Sequence, residues 1–161
     1  MDHENWNLIF YCSENTFRSQ AAQVFAQTLC NANKFRRMKF FSAGLTSGEI
    51  NPALIEYFSK IGYKLKKTEK AGKVEYELKF SDKSDPILLY SKTIEDPTLP
   101  KKIVTSVIVC DIKKETDCSN LQTETNPVSL AFEKVLPGDN SKKVESTLRS
   151  IAAEMLFVTK K

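Results

Sequence analysis

Histidine is almost missing from this sequence, present once in 161 residues as His3. A lone histidine in a polar N-terminus leaves little room for histidine-based catalysis or a His-containing metal site, and no metal is expected. Long apolar runs are missing too: nothing approaches the roughly 18 residues that a membrane span needs. Met1 to Trp6 is polar and acidic, unlike a signal sequence, so the expected location is the cytoplasm. There is no internal repeat and no low-complexity segment. A strong charge excess is also lacking, because 24 basic against 20 acidic residues leave only +4. The lysines between Lys64 and Lys73, with Lys101, Lys102, Lys113 and Lys114, read as a solubilising face, and neither a nucleic-acid nor a membrane partner is expected.

What remains is the composition of a soluble globule, 41% apolar and 27% charged, long enough for one domain over 1–161 with a real core. The four cysteines, without an export signal, are expected as thiols; any disulfide would be transient and chemical.

Leu8 to Tyr11 is a short continuous apolar run, which suits a central strand buried on both faces, and the polar stretch Ser13 to Phe17 follows it. From Ser19 the period changes. Ala22, Phe25, Ala26 and Leu29 form a helical stripe that ends near Asn31 to Asn33. Lys39 to Ser42 reads as a second strand ended by Ala43-Gly44. Asn51 as N-cap, Pro52 at the first helical position, an apolar face of Leu54, Tyr57, Phe58 and Ile61, and Gly62 as stop mark a second helix. Strand, helix, strand, helix in this order argues for an α/β fold with a parallel sheet and right-handed crossovers.

Val74 to Phe80 alternates like a half-exposed strand, with Ile87 to Tyr90 close behind, and predicts a β-hairpin insertion around residues 64–102. Ile103 to Val109 is rich in β-branched residues and predicts a central strand that delivers Cys110 to its end. Asp111 to Asn126 reads as polar loop and Val128 to Phe132 as a last strand. Val144, Leu148, Ile151, Ala152 and Met155 predict a final helix after the Pro137-Gly138 turn.

The chemistry sits in Cys12-Ser-Glu-Asn-Thr-Phe-Arg18-Ser19. A cysteine ends a strand and an arginine opens a helix six residues later. A loop of this length can curl around a tetrahedral oxyanion with its N–H groups inward, and the helix adds the positive end of its dipole. Arg18 can fork two oxygens and favours the thiolate of Cys12, the nucleophile. Ser19 can donate to the same sulfur. Asn15 suits a left-handed backbone and pins the loop. With four cysteines, four arginines and 26 serines or threonines, this spacing arises by chance about one or two times in a hundred. Cys30 falls on the apolar side of its helix and reads as core.

On these residues the chain resembles the low-molecular-weight protein tyrosine phosphatase superfamily, including its thioredoxin-coupled arsenate reductase branch. Phe40-Phe-Ser-Ala-Gly44 resembles the family's second strand and turn, and Asn51-Pro52 through Gly62 resembles the segment after it. The resemblance implies a three-layer sandwich with a central four-stranded parallel sheet and helices on both sides. It also implies an oxyanion-binding loop of Ser13, Glu14, Asn15, Thr16, Phe17 and Arg18. Glu14 replaces the loop's usual glycine and is expected to point to solvent.

Two activities follow from that resemblance. A phosphatase acting on phosphotyrosine needs a general acid, usually an Asp-Pro pair after the fourth strand. No Asp-Pro occurs there, and Glu133 or Asp139 would have to substitute; Asp85-Pro86 and Asp96-Pro97 read as turns. A reductase needs two more thiols, for which Cys110 and Cys118 are candidates. In the family scheme Cys12 attacks arsenate, Cys110 attacks Cys12, and Cys118 takes over Cys110 to leave a disulfide for thioredoxin. Arsenate reduction therefore ranks ahead of phosphatase chemistry, with a non-catalytic binder of phosphate or phosphoprotein as the other class. No bound cofactor is expected, only an external thiol reductant.

Overall fold

The computed structural model describes residues 6–35, 37–103, 105–121 and 126–159, so His3 lies outside the described residues. In chain order the elements are β1 (Trp6–Cys12), α1 (Arg18–Ala32), β2 (Met38–Gly44), α2 (Pro52–Lys60), β3 (Lys64–Lys70) and β4 (Lys73–Lys79). They continue with β5 (Ile87–Leu89), β6 (Thr105–Ile108), α3 (Thr116–Ser119), β7 (Val128–Ser129) and α4 (Ser141–Thr159).

β1, β2, β6 and β7 form a parallel sheet in the order β2-β1-β6-β7, flanked by helices. The apolar run predicted for a central strand holds that place: Leu8 to Cys12 are all buried, and β1 pairs on both sides. α1 packs against β1, β2 and α4. α2 has the punctuation read from the sequence. The Asn51 side chain accepts from the Ala53 N–H at 3.0 Å, Pro52 opens the helix, and Gly62 stops it at φ 109°. Its core residue Phe58 is fully buried, with its ring 5.3 Å from that of Phe25 and 5.0 Å from that of Tyr63. Burying such a ring contributes about 1.5–3 kcal/mol. Of the predicted face, Tyr57 is only half-buried and Ile61 is exposed, because the helix stops at Lys60 before Ile61 can turn inward.

The insertion differs from the predicted hairpin in having a third strand: β3, β4 and β5 form an antiparallel sheet in that order. β3 has no apolar alternation to betray it. It is specified by its neighbour, with Lys66 opposite Glu77 and Lys67 opposite Tyr76, and by the turn, where Ala71 and Gly72 adopt φ 50° and 74°. Two positive φ values in a two-residue loop suit the right-handed strand twist. Three other spans are corrected. The strand read over Ile103 to Val109 is Thr105–Ile108 among the described residues, which leave out Val104; the last strand keeps only Val128 and Ser129; and the polar stretch after Cys110 contains the one-turn helix α3. No helix among the described residues is long and apolar enough to cross a membrane.

Candidate active site

Parallel pairing puts the ends of β1 and β6 side by side: Tyr11 is opposite Ile108, and the Val109 N–H donates to the Tyr11 carbonyl at 2.9 Å. Cys12 and Cys110 therefore leave the same edge of the sheet, and both are buried.

The loop after Cys12 is fastened by its carbonyls. Ser13 O accepts from the Thr46 N–H (3.0 Å), Glu14 O from the Ser91 hydroxyl (2.9 Å), and Asn15 O from Gln20 Nε2 (3.1 Å). Thr16 O accepts from the Asn51 N–H (3.0 Å) and Phe17 O from the Ala21 N–H (2.9 Å). With the oxygens tied to the scaffold, the N–H groups of Ser13, Glu14, Thr16 and Phe17 have no protein acceptor among the described residues. That arrangement matches an oxyanion cradle. Gly44 makes the close approach feasible, since a Cβ there would meet Asn15 N at 2.8 Å and Thr46 O at 2.7 Å.

Asn15 is the pin. It sits at φ 54°, and its Oδ1 accepts from the Lys92 N–H and from Gln20 Nε2, both at 3.0 Å. This orients its amide so that Nδ2 donates to Ser19 Oγ at 2.8 Å. Ser19 Oγ lies 2.8 Å from the Cys12 sulfur in a hydrogen bond that either atom can donate, and the Asn15 N–H donates to the same sulfur at 3.2 Å.

Arg18 is buried, and its position departs from the simple expectation of a fork aimed only at an anion. Nη1 and Nη2 hold the two oxygens of Glu115 at 2.6 and 2.7 Å, and Nη1 also donates to Phe132 O at 3.1 Å. Those bonds use three of the five guanidinium donors. The Nε–H and the second Nη2–H remain, side by side, and make a second fork. Glu115 also accepts from the Asp111 N–H at 3.0 Å. Its carboxyl is held below the usual range, chiefly by the Arg18 hydrogen bonds and against a smaller opposing effect of burial. Sequence reasoning missed Glu115, which lies in an aperiodic polar stretch. The available signal was that a buried arginine requires a carboxylate.

The remaining expected residues are placed as follows. Cys110 and Cys118 are joined as a disulfide, with Cα atoms 6.2 Å apart, and Glu115 lies between them in sequence. Cys12 and Cys30 are free; Cys30 is fully buried, and burial pushes its thiol up. Glu14 is exposed, as expected, and faces Lys134 at 4.0 Å. Glu133 pairs with Lys143 at 3.8 Å. Asp139 accepts from the Leu136 N–H at 2.7 Å and faces Lys143 at 3.1 Å; first that N–H and then Lys143 hold its carboxyl below its ordinary value. Asp96 accepts from the Thr98 N–H, as a turn aspartate does. The insertion, which had no role in sequence, supplies Ser91 and Lys92 to brace the loop. No group of three or more His, Cys, Asp or Glu that could hold a metal occurs among the described residues.

This is the fold shared by low-molecular-weight protein tyrosine phosphatases and thioredoxin-dependent arsenate reductases. No protein-family model and no curated protein sequence matches the chain; the likeness is to solved structures. A low-molecular-weight protein tyrosine phosphatase from T. tengcongensis superposes with a TM-score of 0.66 at 14% identity, over 96% of this chain and 98% of that one. A thioredoxin-dependent arsenate reductase from Corynebacterium glutamicum gives 0.62 at 17% identity, over 99% of this chain but only 63% of its own length. An arsenate reductase in its oxidized state gives 0.62 at 18% identity, over 96% of each chain.

Proposed function

We propose that the chain is a thiol-dependent oxyanion enzyme and, within that class, an arsenate reductase working with an external dithiol such as thioredoxin. Cys12 attacks arsenic and displaces a hydroxide, which leaves as water, to form a thiol–arsenate ester. The loop N–H groups and the free fork of Arg18 stabilise the oxygens. Cys110 then attacks the Cys12 sulfur. The S–As bond breaks with its electron pair on arsenic, so arsenic(V) leaves as arsenite and a Cys12–Cys110 disulfide remains. Cys118 attacks Cys110, which frees Cys12 as a thiolate and leaves Cys110–Cys118 for the external dithiol to reduce.

The observation that carries this reading is the pairing of Cys110 with Cys118 beside a free Cys12 whose sulfur accepts from the Asn15 N–H and is hydrogen-bonded to Ser19. The second reading is a phosphatase of the cysteinyl-phosphate type, acting on phosphotyrosine or another phosphomonoester. The same loop favours it, but it needs a protonated acid; the Asp139 carboxyl is held below its ordinary value by the Leu136 N–H and Lys143, and Glu133 is paired with Lys143.

The test is arsenate-dependent NADPH oxidation with thioredoxin and thioredoxin reductase. Cys118→Ser is expected to release one equivalent of arsenite and stop with Cys12 joined to Cys110, and Cys110→Ser to release none. If both variants turn over like the parent while an aryl phosphate is hydrolysed through Cys12, the phosphatase reading replaces this one. Phosphate binding without either turnover identifies a binding protein.

A further inference from the structure

Behind the segment that braces the Cys12 loop, a cavity of about 760 Å³ opens between the β2 edge with α1 on one side and the β4–β5 connection on the other. That volume lies in the range of small-molecule sites. Its apolar walls include Phe41, Phe80, Pro86 and Leu88. Its charged lining is unbalanced, with Lys39, Lys83 and Lys92 against the single carboxylate Asp85.

Lys92 is the unusual member, a lysine that is only 7% exposed. Its Nζ donates to Tyr90 O at 3.0 Å and sits 4.3 Å from the centre of the Tyr90 ring. No carboxylate makes an ion pair with it among the described residues. Asp96 and Glu75 act on it only through their charge, and Asp96 is already engaged by Tyr90 and Thr98. Tyr90 O accepts one ammonium N–H and the Tyr90 ring faces the same group, and no other acceptor meets it among the described residues. Burial pulls this ammonium down to about 8, as it does for a cation that lacks its counter-ion.

A buried cation with a spare donor beside apolar walls calls for an anion with an apolar body. Its head should be a compact carboxylate, which a single ammonium can match; the bidentate arginine that suits a phosphate is not among the lining residues. We propose that this cavity is a second ligand site, which binds a small organic acid with its carboxylate on Lys92 and its apolar part against Phe41, Phe80 and Leu88. Nothing in the proposed reduction uses this cavity, and it stands independently of that chemistry.

The test titrates the full chain with 4-phenylbutyrate in saturating inorganic phosphate, so that the Cys12 loop is occupied. The neutral amide of the same compound is titrated in parallel. Saturable binding of the acid is expected, with amide-proton shifts at Phe41, Phe80 and Leu88. Affinity should be at least about 10-fold weaker for the neutral amide and for Lys92→Met, as one buried charge-assisted contact implies. The proposal is overturned if acid and amide bind alike, if phosphate displaces the acid, or if no saturable binding occurs. Should Lys92→Met not fold, the acid–amide comparison on the parent decides alone.

Discussion

The Cys12 loop and the Cys110–Cys118 segment leave the same edge of the sheet from adjacent strands, yet they are held differently. The first is tied at every carbonyl from Ser13 to Phe17 and pinned by Asn15. The second closes on itself through a disulfide and reaches the first through Glu115. Stabilising a developing oxyanion rewards donors that need no rearrangement, whereas passing a disulfide from sulfur to sulfur needs a segment that can move. On the proposed reading, one rigid and one releasable loop is the division of labour that a thiol relay demands.

The most damaging single change to the rigid side is Asn15→Ala. It removes the side-chain bonds to Ser19, Gln20 and Lys92 and leaves a methyl side chain at φ 54°. A cost of about 3 kcal/mol is expected, at roughly 1 kcal/mol per hydrogen bond, with at least a 100-fold loss of Cys12-dependent turnover. Urea denaturation and kcat/KM measure the two. Normal turnover in a destabilised variant would mean that the loop does not depend on its pin.

Glu115→Gln probes the link between the loops, with an expected effect of about 1.5–3 kcal/mol for a charge-assisted pair and about 10-fold weaker oxyanion binding. The pH dependence has a definite sign. The Glu115 carboxyl is lowered in the folded protein from its ordinary 4.5. The stability it contributes is therefore full above that value and is lost as pH falls through the lowered one. The parent and Glu115→Gln denaturation midpoints should differ most near neutrality and converge in acid; a gap that stays constant with pH would rule out the ionic contribution.

Asp139→Asn should do least. The carboxylate serves a turn and an exposed ion pair, so turnover with arsenate is expected to change less than about 2-fold. A 100-fold fall in aryl phosphate hydrolysis would instead make Asp139 the missing acid and reverse the ranking of the two activities.

Much of this molecule is legible in one dimension. The apolar run of β1, the helical stripe of α1 and the Asn51-Pro52 and Gly62 punctuation of α2 are local signals, and each sits where its period or cap places it. The Cys12 to Ser19 spacing is local too, so the loop could be read with its roles for Asn15 and Ser19. β3 was not legible, because its strand state comes from pairing with β4 rather than from its own pattern. Glu115 was hidden for the same reason. It meets Arg18 across 97 positions, in a stretch without periodicity.

The sequence by itself determined the parallel α/β framework, the cysteine loop and the residues that form it, since hydrophobic period, turn chemistry and short spacing are properties of neighbouring residues. The tertiary structure alone decided which carboxylate holds Arg18, which backbone braces Asn15, and that a lysine of the insertion is buried beside a cavity. Those are encounters between distant segments, selected by the need to satisfy buried charges and polar groups once the core has closed around them.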